Sequence, residues 1–562
     1  MFVSEYTLWL TSARERYAAI KKVLEQSKND PPTEPYRSKY EAKNMLIDLM
    51  CELEKWRNVN EAQVRLLFIL LSYEKAVILI ETDETGPGSE ILTTILEEAR
   101  AIAETPECIH LIIKILNQLG IIWSERGEIE KSLSYLQEAE TLYNNYKSKN
   151  NCCPFELEEL FMIENVNNKD WTSFEKTFTY TLYYLAQVYE HLNDSNKSAM
   201  YCRETLKRQR ESGEYETNDW AMNCATLSQY FIQEKQFPEA RHLLSCAAYI
   251  LLKYEIKVEQ KLDENRDAWT EVHQSKASLS CCWLKYCVNL LAEPPYNDEK
   301  DKESEKFSRL IEDEDVIKME KRIPCYITSY NDAKSIFIFA TNHVSVAKSY
   351  FTLNEYANNY AQIVQDNSKL YKYLAAHDPD HSRQCKMHKR RLDILEELLR
   401  RLNPQFYLAV CRQLQFELGE ICHEMIDLKT KIANESDEGL NVHRAKKINS
   451  LALKGIQHFQ DFIDSMKDKD GNLPTTYSSD IVRPALIAHF YIGRYYSKLI
   501  ESDTNKKLYD LSKTEEYYNY IVKYAEANPQ HADSVEHELP VVKEMLELMS
   551  EKMNQITCST LF

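Results

Sequence analysis

Between Phe178 and Leu252 the chain twice repeats a large–small–large pattern of side chains with the period of an α-helix. In the second copy the small members are Ser228, Ala240 and Ala247, and the large members are Leu227, Phe231 and Leu244. Small side chains let two helix backbones approach closely, and large ones fill the space between them. The pattern therefore predicts successive pairs of packed helices.

This pattern is typical of the tetratricopeptide (TPR) repeat, which is a helix–turn–helix unit. Forty-two residues separate Leu185 in the first copy from Leu227 in the second, and the excess over the usual TPR period is explained by a predicted loop at 211–218. The stretch Leu116–Ala139 also fits, with Gly127 at a position that suits the left-handed end of a helix. We predict an all-α fold of TPR-like antiparallel helix pairs that stack into a superhelix with a concave face.

Charge and proline mark the predicted boundaries. Residues 293–328 begin with two prolines and continue with dense charge, which is typical of a linker. We predict an N-terminal TPR-like subdomain at 1–292 and a C-terminal helical, TPR-like subdomain at 329–562. Shorter breaks are predicted at the PPTEP turn of Pro31–Pro35, the DETGPG loop of Asp83–Gly88 and the pair Asn403–Pro404.

The formal net charge of −19 disfavours nucleic acid as a partner, because phosphate backbones repel an acidic surface. It suits a partner with a basic surface, although it also serves solubility. Charges occur early in the chain and no run of about eighteen apolar residues is present, so we expect neither a signal peptide nor membrane insertion. We predict a cytoplasmic protein with reduced cysteines.

Motifs for catalysis are missing from the sequence. Ten glycines leave little to build a phosphate cradle, and no phosphate-binding loop, dinucleotide fingerprint or nucleophile elbow occurs. Cys385 and His388 form a C-x-x-H, but no second pair stands at zinc-site spacing. We expect neither an enzyme nor a bound cofactor or metal. The basic run at 386–391 could be a targeting patch, but acidic neighbours favour internal salt bridges.

The TPR register predicts which side chains face the groove. Amides and hydroxyls on the first helix of each pair can bond a partner's surface without a large desolvation cost. The groove positions are Asn117, Gln187 and Gln229, with Tyr184 and Thr226 one turn earlier. The alternative is that these side chains bond neighbouring helices or water.

Several long blocks then point to one family. They include FTYTLYYLAQVYEHL from Phe178, NCATLSQYF from Asn223, CKMHKRRLDILEEL from Cys385 and IVRPALIAHF from Ile481. These blocks, spread in order over nearly the whole chain, resemble the KIF-binding protein family. The resemblance implies a right-handed superhelix in two subdomains. It also implies binding to the motor domains of some kinesins, which blocks their attachment to microtubules and so regulates microtubule-based transport and axonal development.

The resemblance also implies particular contacts. The family's contact positions match Tyr184, Gln187, Gln209 and Thr226, and a loop contributes Asn403 and Gln405. An acidic insertion of vertebrate members is reduced here to about Val59–Glu61. We expect a cytoskeleton-associated monomer. The alternative function is a scaffold that links motors to cargo or organelles without blocking the track.

Overall fold

The computed structural model describes residues 2–149, 152–162, 170–213, 215–260, 266–295, 307–436 and 439–559. Within these ranges the regular structure is helical and no β-strand occurs. The helices of the first part are α1 (Phe2–Gln26), α2 (Arg37–Leu53), α3 (Glu61–Glu81), α4 (Thr85–Arg100), α5 (Ile109–Glu125), α6 (Ile129–Lys149), α7 (Thr172–His191), α8 (Ser195–Ser212) and α9 (Thr217–Gln233). Those that follow are α10 (Phe237–Gln260), α11 (Arg266–Ala292), α12 (Glu314–Glu320), α13 (Tyr330–Tyr350), α14 (Ala357–His377), α15 (His381–Arg401), α16 (Pro404–Asn434), α17 (Val442–Asp464), α18 (Val482–Lys498), α19 (Thr504–Ala527) and α20 (Glu538–Ser559).

The chain divides into two compact units, Met1–Asn223 and Cys224–Phe562. In the first unit α1 packs with α2, α3 with α4, α5 with α6 and α7 with α8. In the second unit α10 packs with α11 and α12, α11 packs with α13, and from α13 each helix packs with the next through α20. The predicted all-α fold of stacked helix pairs is confirmed.

The predicted subdomains, 1–292 and 329–562, have other boundaries than these two units, and they stay a prediction. The predicted linker at 293–328 contains the helix α12, which packs on α10 in the second unit. His242 of α10 lies 2.6 Å from the Glu320 carboxylate, and its other ring nitrogen accepts a hydrogen bond from the Leu310 amide. Residues 296–306 of that linker lie outside the described ranges.

The same turn geometry joins the two helices within each of four pairs: α3 and α4, α5 and α6, α7 and α8, and α9 and α10. A residue with positive φ ends the first helix, and the next residue donates its amide to the carbonyl five positions back at 2.8–2.9 Å. This hydrogen bond satisfies a carbonyl that the helix end leaves unpaired. The positive-φ residues are Asp83 (64°), Gly127 (77°), Asn193 (58°) and Lys235 (58°).

The predicted loop at Asp83–Gly88 is wrong in its second half, because α4 begins at Thr85. Proline is tolerated in the first turn of a helix, so Pro87 does not interrupt α4. Gly88 lies in this first turn because the helix presses against α3. A β-carbon at Gly88 would stand 2.7 Å from Ile80 Cγ1 and 3.0 Å from the Ala76 carbonyl oxygen.

The α5–α6 pair shows how the small residues of the repeat are used. A β-carbon at Gly120 would stand 2.7 Å from the Leu136 side chain, so the two helices could not pack this closely around a larger residue. The Ser132 hydroxyl donates to the Gly120 carbonyl at 2.6 Å. Leu119 and Leu227 are buried, as their places in the repeat predict.

A glycine in close contact with the next helix also occurs in the second unit. Thr514 of α19 donates to the Gly493 carbonyl of α18, and a β-carbon at Gly493 would stand 2.5 Å from Tyr518. The predicted break before α16 is also present, with Asn403 as its N-cap and Pro404 in its first turn. Among the described residues, no helix is both long and apolar enough to cross a membrane.

Candidate functional site

The helix α7 has one apolar and one partly exposed aromatic face. Phe174, Phe178, Leu182 and Leu185 are buried in the core of the first unit. This orientation turns the tyrosines of the opposite face outward, and Tyr180 and Tyr183 are 52% and 39% exposed. Large exposed aromatic side chains are typical of binding surfaces.

These tyrosines line a cleft of about 1010 Å³ that is formed by α7, α8 and the start of α9. We name it the α7–α9 cleft. The far wall is held by Trp220, whose buried indole donates to the Leu206 carbonyl at 3.0 Å. The charged side chains that line the cleft are Lys147, Glu175, Lys176, Glu204, Arg208, Glu211, Glu216 and Asp219. Five carboxylates against three cations give the cleft a surplus of negative charge.

Glu175 organises one end of the α7–α9 cleft. Its carboxylate accepts hydrogen bonds from Tyr143 at 2.5 Å and from Arg208 at 3.0 Å, and it also pairs with Lys147. Burial by itself would raise the pKa of Glu175, but hydrogen bonds from Lys147 and Tyr143 and the nearby cations hold it below its usual value. Glu175 is therefore ionised and fully compensated.

The surplus charge comes from the other carboxylates. Arg208 also binds Glu204 at 3.0 Å, so this one cation is shared between Glu175 and Glu204. The remaining lining charges are Glu211, Glu216 and Asp219 on the α8–α9 side, against Lys176 on α7. The α8–α9 side of the cleft is thus the acidic side.

The predicted residues Tyr184, Gln187 and Gln209 lie on α7 and α8. Gln209 lines the α7–α9 cleft, and Gln187 is exposed one helical turn after Tyr183. Tyr184 is half-buried and packs against the core, with its ring edge-on to Tyr183 at 5.2 Å. Burial raises the pKa of its phenol. Tyr184 therefore belongs partly to the exposed tyrosine surface and partly to the core of the first unit.

Asn117 does not face an open groove, which corrects its predicted position. Its side chain is 7% exposed. The amide nitrogen donates to the Thr177 carbonyl at 3.2 Å, and the amide oxygen accepts from the Thr181 hydroxyl at 2.9 Å. Both partners belong to α7, so Asn117 bonds a neighbouring helix, which was the alternative left open by the sequence.

Thr226 and Gln229 belong to the part of α9 that lies in the second unit. Thr226 is exposed, whereas Gln229 is half-buried. The Gln229 amide donates to the Ser228 hydroxyl at 3.1 Å and to the Ala225 carbonyl at 3.4 Å. A partner that bound Gln229 would have to compete with these local bonds.

The loop residues Asn403 and Gln405 begin α16. Asn403 caps the helix by accepting the Gln405 amide at 2.9 Å, and both side chains are exposed. Phe406, the next residue, is 75% exposed. This loop therefore presents an aromatic side chain that the sequence did not single out.

The basic run of α15 forms salt bridges, as its acidic neighbours predict. Arg391 is buried and binds Glu424 at 2.5 Å and Glu417 at 3.3 Å. Lys389 pairs with Asp393 along the helix at 2.7 Å. Across the part of the chain that the structure describes, no three histidine, cysteine or carboxylate side chains are grouped to hold a metal ion.

The strongest features of the cleft, which are Tyr180, Tyr183 and the ion pairs of Glu175, were not predicted from the sequence. The string YTLYY within α7 contained the signal for the tyrosines. Tyr180 and Tyr183 are three residues apart and so share a face, opposite Leu182 and Leu185. Glu175 could not have been found in this way, because Tyr143, Lys147 and Arg208 come from distant parts of the sequence.

Fold and site together define an α-helical repeat protein with an acidic, tyrosine-lined cleft, and this class of protein binds other proteins. Residues 218–556 match the family model described as "KIF-1 binding protein C terminal". The chain belongs to the KIF-binding protein family. The resemblance recognised in the sequence is confirmed.

Individual relatives match over nearly their whole length. The chain is 39% identical to KIF-binding protein of Gallus gallus, covering 94% of this chain and 95% of the relative. It is 34% identical to that of Homo sapiens, covering 97% and 98%. A solved structure of a kinesin binding protein (KBP) has a TM-score of 0.66 at 33% identity and covers 95% of this chain and 97% of its own.

Proposed function

We propose that this chain binds kinesin motor domains through the α7–α9 cleft and keeps them off microtubules. One observation carries the site assignment: exposed tyrosines stand beside a surplus of carboxylates in one cleft. The family membership supplies the partner, since its named members are KIF-binding proteins.

The partner's electrostatics support this mechanism. The microtubule surface is acidic, so a surface that binds it is basic. An acidic cleft that occupies the same basic surface excludes the filament without any chemistry. The protein would act by binding and not by catalysis, as a monomer, in the cytoplasm where motors meet the cytoskeleton.

The structure suggests which contacts contribute most energy. Tyr180 and Tyr183 supply the exposed aromatic area, and Gln187 and Gln209 supply amides that hydrogen-bond without carrying charge. Tyr184 supports this surface from behind. In the second unit, Thr226, Gln229, Asn403 and Gln405 stay predicted contacts. Asn117 leaves the set because both ends of its amide are already bonded.

The direct test uses a purified KIF-1 motor domain, stabilised microtubules and the full chain. The motor domain should bind the chain, and the dissociation constant should rise with salt because opposite charges meet. In co-sedimentation with a non-hydrolysable ATP analogue, added chain should move the motor domain from the pellet to the supernatant. The control is the same titration with an acidic protein of another fold.

A scaffold that links motors to cargo would give a different result. In that case the motor domain would bind the chain and still pellet with microtubules, and the chain would pellet with it. This outcome would overturn the inhibitory step but not the binding. Absence of any binding to the motor domain would overturn the whole proposal.

A further inference from the structure

The second unit contains a separate groove between α16, α18 and α20. Its volume is about 320 Å³, enough for a few side chains but not for a folded domain. We name it the α16–α20 groove. The residues that line it are Phe416, Glu420, Arg483, Pro484, Ile487, Phe490, Tyr491 and Glu538.

The aromatic walls of the α16–α20 groove are fixed by packing beneath them. Tyr491 stacks on the buried Phe459 with ring centroids 5.2 Å apart and an angle of 5°. Phe416 meets Phe459 edge-on at 5.3 Å, and Phe490 stacks on the buried Tyr518 at 5.9 Å. These side chains are half-buried and held in place, so the groove is formed before any ligand arrives.

Glu420 is the polar group inside this apolar groove. It is half-buried, and within the described residues its carboxylate has neither a hydrogen bond nor a cation within 4.0 Å. The carboxylates nearest to it in the chain, Glu417 and Glu424, are both paired with Arg391. Burial raises the pKa of Glu420, the charge of Lys372 partly offsets this effect, and the charges of Glu424 and Glu417 add to it.

The rim of the groove is different. There Glu538 binds Arg483 at 2.9 Å, so its charge is already compensated. A half-buried carboxylate without a partner is costly, and pairing with a cation offsets that cost. The groove therefore has apolar walls, a compensated rim and one carboxylate inside that pairs with no cation of the described residues within 4.0 Å.

We propose that the α16–α20 groove is a docking site for an arginine-bearing segment of a partner protein. The guanidinium pairs with Glu420 and stacks against Tyr491, while apolar neighbours of the arginine lie against Phe416 and Ile487. Arginine fits better than lysine because its planar group is more weakly hydrated and stacks on aromatic rings. A metal ion fits poorly, because Glu420 alone offers too few ligands. This site goes beyond the proposed function and lies in the other unit.

The test uses a methyl reporter inside the groove. The full chain is labelled at isoleucine Cδ1, and the Ile487 signal is assigned with Ile487→Val. The probe is the tripeptide acetyl-Leu-Arg-Phe-amide, and its matched neutral control carries citrulline in place of arginine. The Ile487 signal should shift saturably with the arginine peptide, with an affinity at least about fivefold higher than for citrulline.

Two variants separate the local charge from general electrostatics. Glu420→Gln should lower the affinity for the arginine peptide to that for citrulline. Glu544→Gln removes one charge at an exposed position of α20 and should keep the preference. The melting temperature of Glu420→Gln should not fall below wild type, because the substitution removes a half-buried charge.

Two results would overturn the proposal. One is an Ile487 signal that stays still or shifts equally with both peptides in the wild-type chain. The other is an arginine preference that survives in Glu420→Gln. The double variant Tyr180→Ala, Tyr183→Ala should leave the response unchanged, so a failure of motor binding at the α7–α9 cleft is distinguishable from a failure here.

Discussion

The α7–α9 cleft and the α16–α20 groove each contain a half-buried glutamate, in opposite circumstances. Glu175 in the cleft is surrounded by Lys147, Arg208 and the Tyr143 hydroxyl, and its pKa is lowered. Glu420 in the groove lies among mostly apolar and aromatic side chains without an ion pair of its own in the described part of the chain, and burial raises its pKa. An ionised glutamate thus stabilises the fold at position 175, whereas at position 420 it lowers the stability of the fold.

The comparison distinguishes a carboxylate that forms ion pairs within the protein from one that could still pair with a partner. The negative charge of Glu175 is used inside the protein, so in the proposed function the cleft attracts its partner through its other carboxylates and its tyrosines. The carboxylate of Glu420, by contrast, forms no hydrogen bond or ion pair within the described residues. An unfavourable feature that persists in a rigid setting is a reason to look for function.

The largest loss of stability is expected when the helix packing beneath the α7–α9 cleft or the α16–α20 groove is weakened. Leu182→Ala in α7 and Leu486→Ala in α18 should each lower the free energy of unfolding by about 2–5 kcal/mol, since both side chains are buried. Leu8→Ala, at a position 72% exposed, should change it by less than about 0.5 kcal/mol. Urea midpoints measure all three. Equal midpoints for Leu182→Ala and Leu8→Ala would mean that the buried face of α7 is wrongly assigned.

The next effect concerns binding at the cleft. Tyr180→Ala combined with Tyr183→Ala should weaken motor-domain binding by about 2 kcal/mol, roughly thirtyfold, because the exposed aromatic area is lost. The matched control is Tyr509→Ala on α19, where the side chain is 57% exposed. Calorimetric titration measures the change. An unchanged affinity in the double variant, or an equal loss with Tyr509→Ala, would place the motor site elsewhere.

A smaller effect is expected for Glu175→Gln, which should lower the free energy of unfolding by about 1–3 kcal/mol at pH 7. The variant leaves Lys147 and Arg208 without a full counter-charge. Because the pKa of Glu175 is lowered in the folded state, its contribution is present above the usual glutamate pKa of about 4.3. The difference from wild type should shrink as the pH falls below that value. A difference that does not change with pH would argue against a charge effect.

The smallest effect has the opposite sign. Glu420→Gln should raise the melting temperature by about 1–3 °C at pH 7, since the ionised carboxylate is disfavoured in the folded state. A raised pKa costs stability above that pKa, and the cost vanishes when the carboxylate is protonated. The two proteins should therefore melt together at low pH. A lower melting temperature for Glu420→Gln at pH 7 would show that Glu420 has a stabilising partner.

The fold could be predicted from the sequence where a residue type is tied to one conformation. Gly127 indicated its turn because glycine tolerates positive φ. Asp83, Asn193 and Lys235 adopt the same conformation, yet aspartate, asparagine and lysine occur in many other settings. Their turns follow from the packing of the helices on either side, which a local pattern does not contain.

The site was predictable only in part for a similar reason. Asn117 and Gln187 occupy matching places in the repeat register, but α5 packs against α7 as well as α6. That third helix buries Asn117 and gives it Thr177 and Thr181 as partners. The register within one repeat predicts the helix face on which a side chain lies. Whether another helix covers that face depends on how the repeats stack.

If a motor domain covers the α7–α9 cleft, as we propose, hydroxyl-radical footprinting will measure that coverage at the tyrosines themselves. Oxidation rates of Tyr180 and Tyr183 are measured by mass spectrometry with and without a saturating KIF-1 motor domain. We expect both rates to fall at least about threefold, in proportion to the lost solvent exposure, while the rate of Tyr509 stays constant. Unchanged rates at Tyr180 and Tyr183 in a saturated complex would contradict the proposal.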